Sequence, residues 1–338
     1  MKTENTTVKN KHWDLLGIGS PLLDIVINIE DKVLDDLKIK KGSMNLISEA
    51  ESKNILNELS HVAHELSPGG SAANTLSGVN LLGNRTSFLG MIGDDSHGRR
   101  YSEEIEKEGI VSHLLRHDRD MTGHSIIFIT PDGERTMATH LGASANFVKK
   151  HVDENVVRHS KILHIEAYQL ENPNTYDAVM HAVGIAKEGN VLISLDLSDV
   201  HLIQRNKKLF QDVVREHVDI VFANEEEASE FTDKKDSTEA LHDIADNCKI
   251  AVVKLGAKGS LIKENGKVYN IEPHKVEMVN TNGAGDMYAA GILHGLVNGL
   301  NLQEAGEIAS HVSALVVASM GARMDKKHHN LISKYKNL

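Results

Sequence analysis

Cysteine is nearly missing from this chain. Cys248 is the single thiol in 338 residues, so no disulfide can close within it. A lone cysteine fits a reducing compartment. Proline is scarce too, at five residues, and no low-complexity stretch marks a linker between domains. No apolar run reaches the ~18 residues of a membrane helix. The opening, MKTENTTVKNKH, lacks the hydrophobic stretch of a secretory signal. Positive charge is in deficit: 37 Lys and Arg face 48 Asp and Glu, for a net charge of −11. That balance argues against general nucleic-acid binding. A cytoplasmic enzyme, with neither nucleic-acid nor membrane partner, is the default expectation.

What is present looks globular. Apolar residues make up 40% and charged residues 25%, and the length allows one large α/β domain with an insertion. Twenty histidines invite a metal reading, with His61 and His64 or His328 and His329 close together. No HExxH helix or Cys/His cluster accompanies them, so scattered surface or core histidine is the favoured reading.

Short β-rich runs alternate with helical patterns. Trp13–Ile18 and Thr86–Met91 read as strands, and 162–165, 191–196, 220–223 and 250–255 as buried parallel strands. Helical spacing covers 72–82, 99–108, 175–188, 207–217 and 238–247. This βαβ rhythm predicts a doubly wound, mostly parallel sheet. Two stretches, 25–47 and 114–141, break it. The second holds a predicted hairpin, 125–130 and 135–141, around Pro131-Asp132-Gly133-Glu134. Together they predict a small β layer beside the main sheet.

The most informative run is Asn280-Thr281-Asn282-Gly283-Ala284-Gly285-Asp286. It follows a β-prone segment, 276–279, and opens a helical pattern over 287–297. Small residues at a helix N-terminus leave several backbone N–H groups free, and these favour an anion. An aspartate ending such a loop suits a base aimed at a hydroxyl that attacks phosphorus. An ordinary capped helix with Asp286 in its first turn fits the loop equally well. It is no Walker loop, since no Gly-Lys-Ser/Thr follows.

Other motifs are individually weaker. Gly17-Ile18-Gly19 lacks the third glycine of a dinucleotide fingerprint, with Leu22 in its place and Pro21 interrupting. Asp24, alone, reads as a turn or cap residue. In Pro68-Gly69-Gly70-Ser71-Ala72-Ala73-Asn74-Thr75 the glycines precede a helix with Ser71 as expected N-cap. Asn74 falls in the first turn, able to bond a polyhydroxyl ligand. Gly90 to Gly98 reads as an architectural turn. Asn224-Glu225-Glu226-Glu227 follows a buried strand, where a carboxylate could hold a hydrated Mg²⁺ or simply cap a helix. Lys254 and the turn through Gly256 and Gly259 could border a nucleotide. Gly321 and Ala322 read as a helix stop.

Taken in order from Trp13 to Arg323, these motifs resemble the ribokinase-like (PfkB) carbohydrate and nucleoside kinase family. The resemblance implies a Rossmann-like kinase domain over 13–323, a β-sheet lid formed by 25–47 and 114–141, and terminal extensions at 1–12 and 324–338. It implies ATP as donor and Mg²⁺ beside it. It makes Asp286 the base, and Gly283, Ala284 and Gly285 the anion hole with Asn282 beside it. Asn224 and Glu227 would organise phosphates and metal, Glu227 through water. Lys254, Gly256 and Gly259 would border the nucleotide. Asp24, Gly69, Gly70 and Asn74 would hold acceptor hydroxyls. The 41–47 segment, Gly133-Glu134-Arg135 onward to Ala143, Glu166-Ala167-Tyr168, and the Thr281–Asp286 loop resemble the bacterial adenosine kinase branch. One departure stands out. The family loop usually begins with aspartate, which in K⁺-activated members helps bind the cation, and here it is Asn280. Monovalent-cation activation is therefore doubtful, although the Asn280 carbonyl oxygen leaves a weakened site open.

The expected reaction is γ-phosphoryl transfer from ATP to a primary hydroxyl, foremost the 5′-hydroxyl of adenosine. Tyr168 suits a wall for the base or a place in the core, and Arg135 a reach into the closed site or a solvated hairpin. A sugar acceptor and a non-catalytic nucleoside sensor are the rival readings. Monomer and homodimer are both compatible.

Overall fold

A computed structural model describes residues 11–319, 321–324 and 328–335. The sequence-derived extension 1–12 therefore lies almost wholly outside the described residues, as do 325–327 and 336–338 of the C-terminal one. In chain order the first half comprises β1 (Trp13–Ile18), β2 (Leu23–Asn28), α1 (Asp31–Leu37), β3 (Met44–Leu46), α2 (Glu49–Glu58), β4 (Glu65–Pro68), α3 (Ser71–Leu81), β5 (Thr86–Gly93), α4 (Ser96–Lys107), β6 (Val111–His117), β7 (Thr122–Ile129) and β8 (Arg135–Gly142). The second half comprises α5 (Glu154–Arg158), β9 (Ser160–Glu166), α6 (Pro173–Glu188), β10 (Leu192–Asp196), α7 (Val200–His217), β11 (Ile220–Asn224), α8 (Glu225–Thr232), α9 (Ser237–Ala245) and β12 (Ile250–Lys254). β13 (Ser260–Glu264), β14 (Lys267–Ile271), α10 (Ala284–Val297), α11 (Leu302–Val317) and the short α12 (His329–Ile332) complete it.

The large sheet runs β14-β13-β12-β11-β10-β9-β1-β5-β6. Its strands from β12 to β6 are parallel, and β13 and β14 add an antiparallel edge. Parallel strands covered on both faces need apolar residues at successive positions, as in Leu15–Leu16, Ile162–Leu163 and Val221–Phe222–Ala223. The run then ends in a polar residue on four neighbouring strands: Glu166, Asp196, Asn224 and Lys254. Register pairs Asp196 with Glu166 and Asn224 with Lys254, so these side chains share one end of the sheet. The order reverses between β1 and β9, where open α/β sheets gather their ligands.

The second sheet runs β3-β8-β7-β2-β4. Its strands alternate as a two-faced sheet requires. Ile25, Ile27, Ile126, Phe128 and Ala138 pack on Leu34 of α1 and Ile55 of α2. Asp24, Ser125, Ile127, Met137 and Thr139 take the opposite face, toward the large sheet. Relative to the sequence-derived boundaries, residues 114–117 belong to β6 in the large sheet, while α2 and β4 belong with the second. The β-prone run 276–279 forms no strand. The Val279 and Asn280 amides turn instead to the Val317 carbonyl at the end of α11, and Val276, Met278 and Val279 stay exposed.

α10 is wedged between α3 and α11, and small residues make the fit. A methyl at Gly78 of α3 would sit 2.6 Å from the Met287 sulfur, and one at Gly291 of α10 would overlap the Ala309 backbone of α11. This closeness sets the α3 and α10 N-termini side by side. Gly291→Ala improves intrinsic helix propensity by about 1 kcal/mol, but it overpacks the contact at a cost of about 1–3 kcal/mol. Net destabilisation, read as a lower urea midpoint with an unchanged slope, is the expected outcome.

Candidate active site

The two helix N-termini meet at one carboxylate. Asp286, in the first turn of α10, accepts from Ser71 Oγ at 2.7 Å on Oδ1 and from Asn74 Nδ2 at 2.9 Å on Oδ2. Thr75 Oγ1 also donates to its main-chain carbonyl at 3.2 Å. Burial raises the Asp286 pKa, and the Asn74 and Ser71 donors oppose the rise by favouring the charged form. Ser71 is not the N-cap expected from the sequence. Gly70, at φ 89°, takes that position, because the chain must turn sharply there against the Ser20 carbonyl. Ser71 becomes the first helical residue, with its hydroxyl free to reach across to α10.

The loop before α10 leaves several backbone amides free. Gly283 caps the helix at φ 72°, and a side chain there would overlap the Ala322 carbonyl. The Ala284 amide turns back onto the Thr281 carbonyl at 3.3 Å. Among the described residues, the N–H groups of Gly283, Gly285 and Asp286 have no acceptor and stay available. Asn280 braces the loop: its Oδ1 accepts from Asn282 N at 2.8 Å, and its Nδ2 donates to the Gly321 carbonyl at 3.2 Å. Gly321 and Ala322 are therefore more than a helix stop; their carbonyls pack along the loop.

Lys254 brings positive charge to the same place. Its Nζ lies 3.0 Å from Asp196 Oδ2 and sits over Gly285. Burial alone would lower its pKa, but Asp196 and Glu227 outweigh burial and hold the ammonium form. Asn224 and Glu227 form a reciprocal cap on α8. Glu227 accepts from Asn224 N at 2.7 Å and from Asn224 Nδ2 at 2.8 Å. Burial pushes Glu227 up to about 7. Gly256 and Gly259 flank the turn after β12 and line the same cavity.

That cavity, about 1,110 Å³, lies between the two sheets. Asp24, Gly70, Asn74, Tyr168, Asn224, Glu227, Lys254 and the 282–286 loop all line it. Two expected site residues do not. Gly69 stands behind it, where a side chain would overlap the Asp24 carboxylate, and its carbonyl accepts from Tyr101. Arg135 sits at the start of β8, outside the lining but within electrostatic reach of Asp24. Asp24 is the most telling side chain of the second sheet. It is 7% exposed, and no donor hydrogen-bonds its carboxyl among the described residues. Burial pushes it to about 7, against the pull of Arg323 and Arg135.

Sequence reasoning passed over several participants. Asp196 carried the same signal as Asn224, a polar residue ending an apolar strand. Glu166 was noted only as part of a motif. It braces the switch point, accepting from Ser20 N at 2.8 Å and Ala72 N at 2.9 Å. Arg323 and Pro273 to Val276 carried no local signal. Arg323 reaches Asn74 and Glu108 from beyond α11, and 273–276 line the cavity beside the loop.

A mostly parallel sheet with polar strand ends, a free-amide loop and a second sheet thus enclose one cavity that also holds Asp24 and Asp286. The chain belongs to the pfkB family of carbohydrate kinases, whose family model matches residues 40–328. The adenosine kinase of Sinorhizobium meliloti is 32% identical, with a TM-score of 0.90 over 95% of this chain and 99% of that one. A probable sugar kinase of Rhizobium etli is 31% identical, also at TM-score 0.90, over 96% and 99%. Adenosine kinase 1 of Arabidopsis thaliana is 26% identical over 93% of this chain and 96% of its own.

The unpaired Asp24 has a measurable consequence. Its folded pKa, about 7, lies above the ordinary 3.8. The folded state therefore binds more protons than the unfolded one between these values, and stability falls as pH rises through about 7. Asp24→Asn removes this contribution. Urea midpoints measured from pH 5.5 to 8 are expected to fall less steeply with pH in the variant than in the parent.

Proposed function

We propose that the protein transfers the γ-phosphoryl group of ATP to the 5′-hydroxyl of adenosine, giving ADP and AMP. The observation that carries this reading is one cavity lined by the free-amide loop, the half-buried Asp286 carboxylate and an apolar wall. The free amides of Gly283 and Gly285 with Lys254 Nζ suit the oxygens of a transferring phosphoryl group. Asp286 adjoins that seat and can orient a hydroxyl and take its proton as the phosphorus–oxygen bond forms. Late proton removal suits a carboxylate, a weak base for an alcohol, because a loose transition state develops little charge on the attacking oxygen early.

Donor chemistry supports Mg²⁺ as a companion of the triphosphate. Glu227 has both carboxylate oxygens engaged by Asn224, which suits contact through ordered water rather than direct ligation. Bound there, the ion would supply charge neutralisation. On the acceptor side, Asp24 and Asn74 suit sugar hydroxyls. Leu22, Ile127, Met137, Leu141 and Tyr168 line the same cavity. An apolar wall of this size suits a purine, and a free sugar has little use for it. The second sheet would act as the lid that keeps water from the transferring group. A cytoplasmic setting fits an ATP-dependent salvage reaction. The rival reading, a sugar acceptor, draws support from the similarity to the probable sugar kinase.

ADP release with Mg-ATP decides between them when adenosine, inosine, ribose and fructose are compared. Turnover is expected with adenosine at micromolar concentration. Release only with a free sugar would overturn the adenosine assignment and keep the kinase one, and nucleoside binding without ADP release would favour a sensor. Asp286→Asn is expected to fold and to lose about 10²–10⁴ in kcat; near-parental kcat would remove Asp286 from the mechanism. Turnover is expected to be equal in Na⁺ and K⁺, because the neutral Asn280 amide already braces the loop.

A further inference from the structure

We infer that Arg323 is a positioning residue for Asp286, acting through the side-chain amide of Asn74; the inference rests on the kinase reading above. A guanidinium can only donate. Arg323 Nε lies 2.9 Å from Asn74 Oδ1, so that end of the amide is the acceptor. The other end, Nδ2, is then the donor that meets Asp286 Oδ2 at 2.9 Å. A carboxamide alone has two nearly isosteric orientations. The flipped one would set Oδ1 against the carboxylate, two acceptors in contact with no proton between them. Arg323 excludes it.

Arg323 is itself held. Its Nη1 lies 2.9 Å from both carboxylate oxygens of Glu108, just past the end of α4, and Nη2 lies 3.4 Å from the Gly69 carbonyl. The Arg323 side chain is 12% exposed and that of Glu108 32%, so the chain of contacts runs inward from near the surface to the base. The two residues before it support the same region, through the Gly321 carbonyl on Asn280 and the Ala322 carbonyl against Gly283. Neither of those contacts touches Asp286. The route through Asn74 does.

Several charged or polar groups face Asp286. Ser71 and Asn74 come from α3, Lys254 from β12 and Asp196 from β10; at longer reach Asp24 comes from β2 and Glu166 from β9. Of these, Asn74 is the donor that Arg323 also directs, from the other end of its amide. Without that direction Asp286 loses a hydrogen bond to its charged form and binds its proton more tightly. The acid limb of kcat against pH then moves to higher pH. Arg323 also acts on Asp24 through charge, so acceptor must be saturating.

The test is a double-variant cycle on the full chain, with kcat from ADP release at saturating ATP and acceptor, the acceptor being whichever the panel above identifies. Arg323→Leu and Asn74→Ala are each expected to lower kcat by about 10- to 100-fold and to raise the acid limb. The double variant is expected to be no slower than Asn74→Ala alone. Independent losses that multiply, or an unmoved acid limb in Arg323→Leu, would overturn the inference. If Arg323→Leu does not fold, Arg323→Lys carries the same cycle, because an ammonium cannot hold Glu108 and a fixed donor to Asn74 together. A readout without turnover separates this inference from the kinase reading. The Asn74 side-chain amide protons, followed by ¹⁵N-edited exchange, are expected to be protected in the parent and to lose protection in the Arg323 variant. Parental protein inactive with every acceptor would sink the kinase reading alone, whereas equal amide protection in parent and variant would sink the role of Arg323.

Discussion

One carboxylate held between two helix N-termini is the constraint on which this site depends. Asp286 accepts from Ser71 and Asn74 of α3 while standing in the first turn of α10. Both helices must therefore begin at the same place. The sheet fixes where α3 starts, because Glu166 at the end of β9 binds the Ala72 amide. The interhelical packing fixes where α10 starts, because Gly78 and Gly291 allow α10 to approach both neighbours. Asp286 is half-buried, and withdrawing its charge from water without donors would be costly, so the carboxylate in turn favours donors that stay in register. Fold and site thus select the same geometry.

The surrounding charges would otherwise make a poor place for a triphosphate. Asp24, Glu166, Asp196, Glu227 and Asp286 all line this cavity, against Lys254 within it and Arg323 behind it. Burial moderates the excess by pushing Asp24, Glu166 and Glu227 to about 7. Lys254 is shared between Asp196 and the glycine loop. The free amides of Gly283 and Gly285 then become the natural contact for an anion, since backbone dipoles attract one without adding a titratable group. A phosphoryl group seated there would lie beside the base and the lysine together.

How much of this was legible in the sequence follows from the range of each signal. The buried strands showed because parallel sheets covered on both faces leave long apolar runs, and Asn224 and Lys254 showed because each such run stops at a polar residue. The Gly-Ala-Gly-Asp loop showed because a helix N-terminus needs its residues contiguous. Asp196 was legible by the strand-end rule and was missed. The N-cap of α3 was misplaced by one residue because Ser71 has ordinary capping chemistry, while its actual partner lies 215 positions away. Residues 276–279 read as β-prone because β-propensity is local, whereas in the folded chain the Val279 amide turns to the end of α11. Arg323 had no local signal at all. Its meaning comes from Asn74, 249 positions earlier, and only a folded chain brings them together.

If the proposed acceptor site is right, the similarity to both an adenosine kinase and a probable sugar kinase has a physical basis in how its acceptor side would be divided. On the proposed reading, Asp24 faces the cavity with no side-chain donor among the described residues, and a polyhydroxyl acceptor would satisfy it whether or not it carries a base. Discrimination based on hydrogen bonds is steep, because an analogue lacking the hydroxyl leaves a buried polar group unpaired. Discrimination by an apolar wall is shallow, at about 1–3 kcal/mol per methylene-sized difference. The part of the site that binds most selectively is therefore the part a nucleoside and a sugar would share. Ile127, Met137, Leu141 and Tyr168 carry the remainder. Acceptor choice within such a scaffold can change by substitutions on the second sheet, while the loop, Asp286 and the donors that aim it stay as they are.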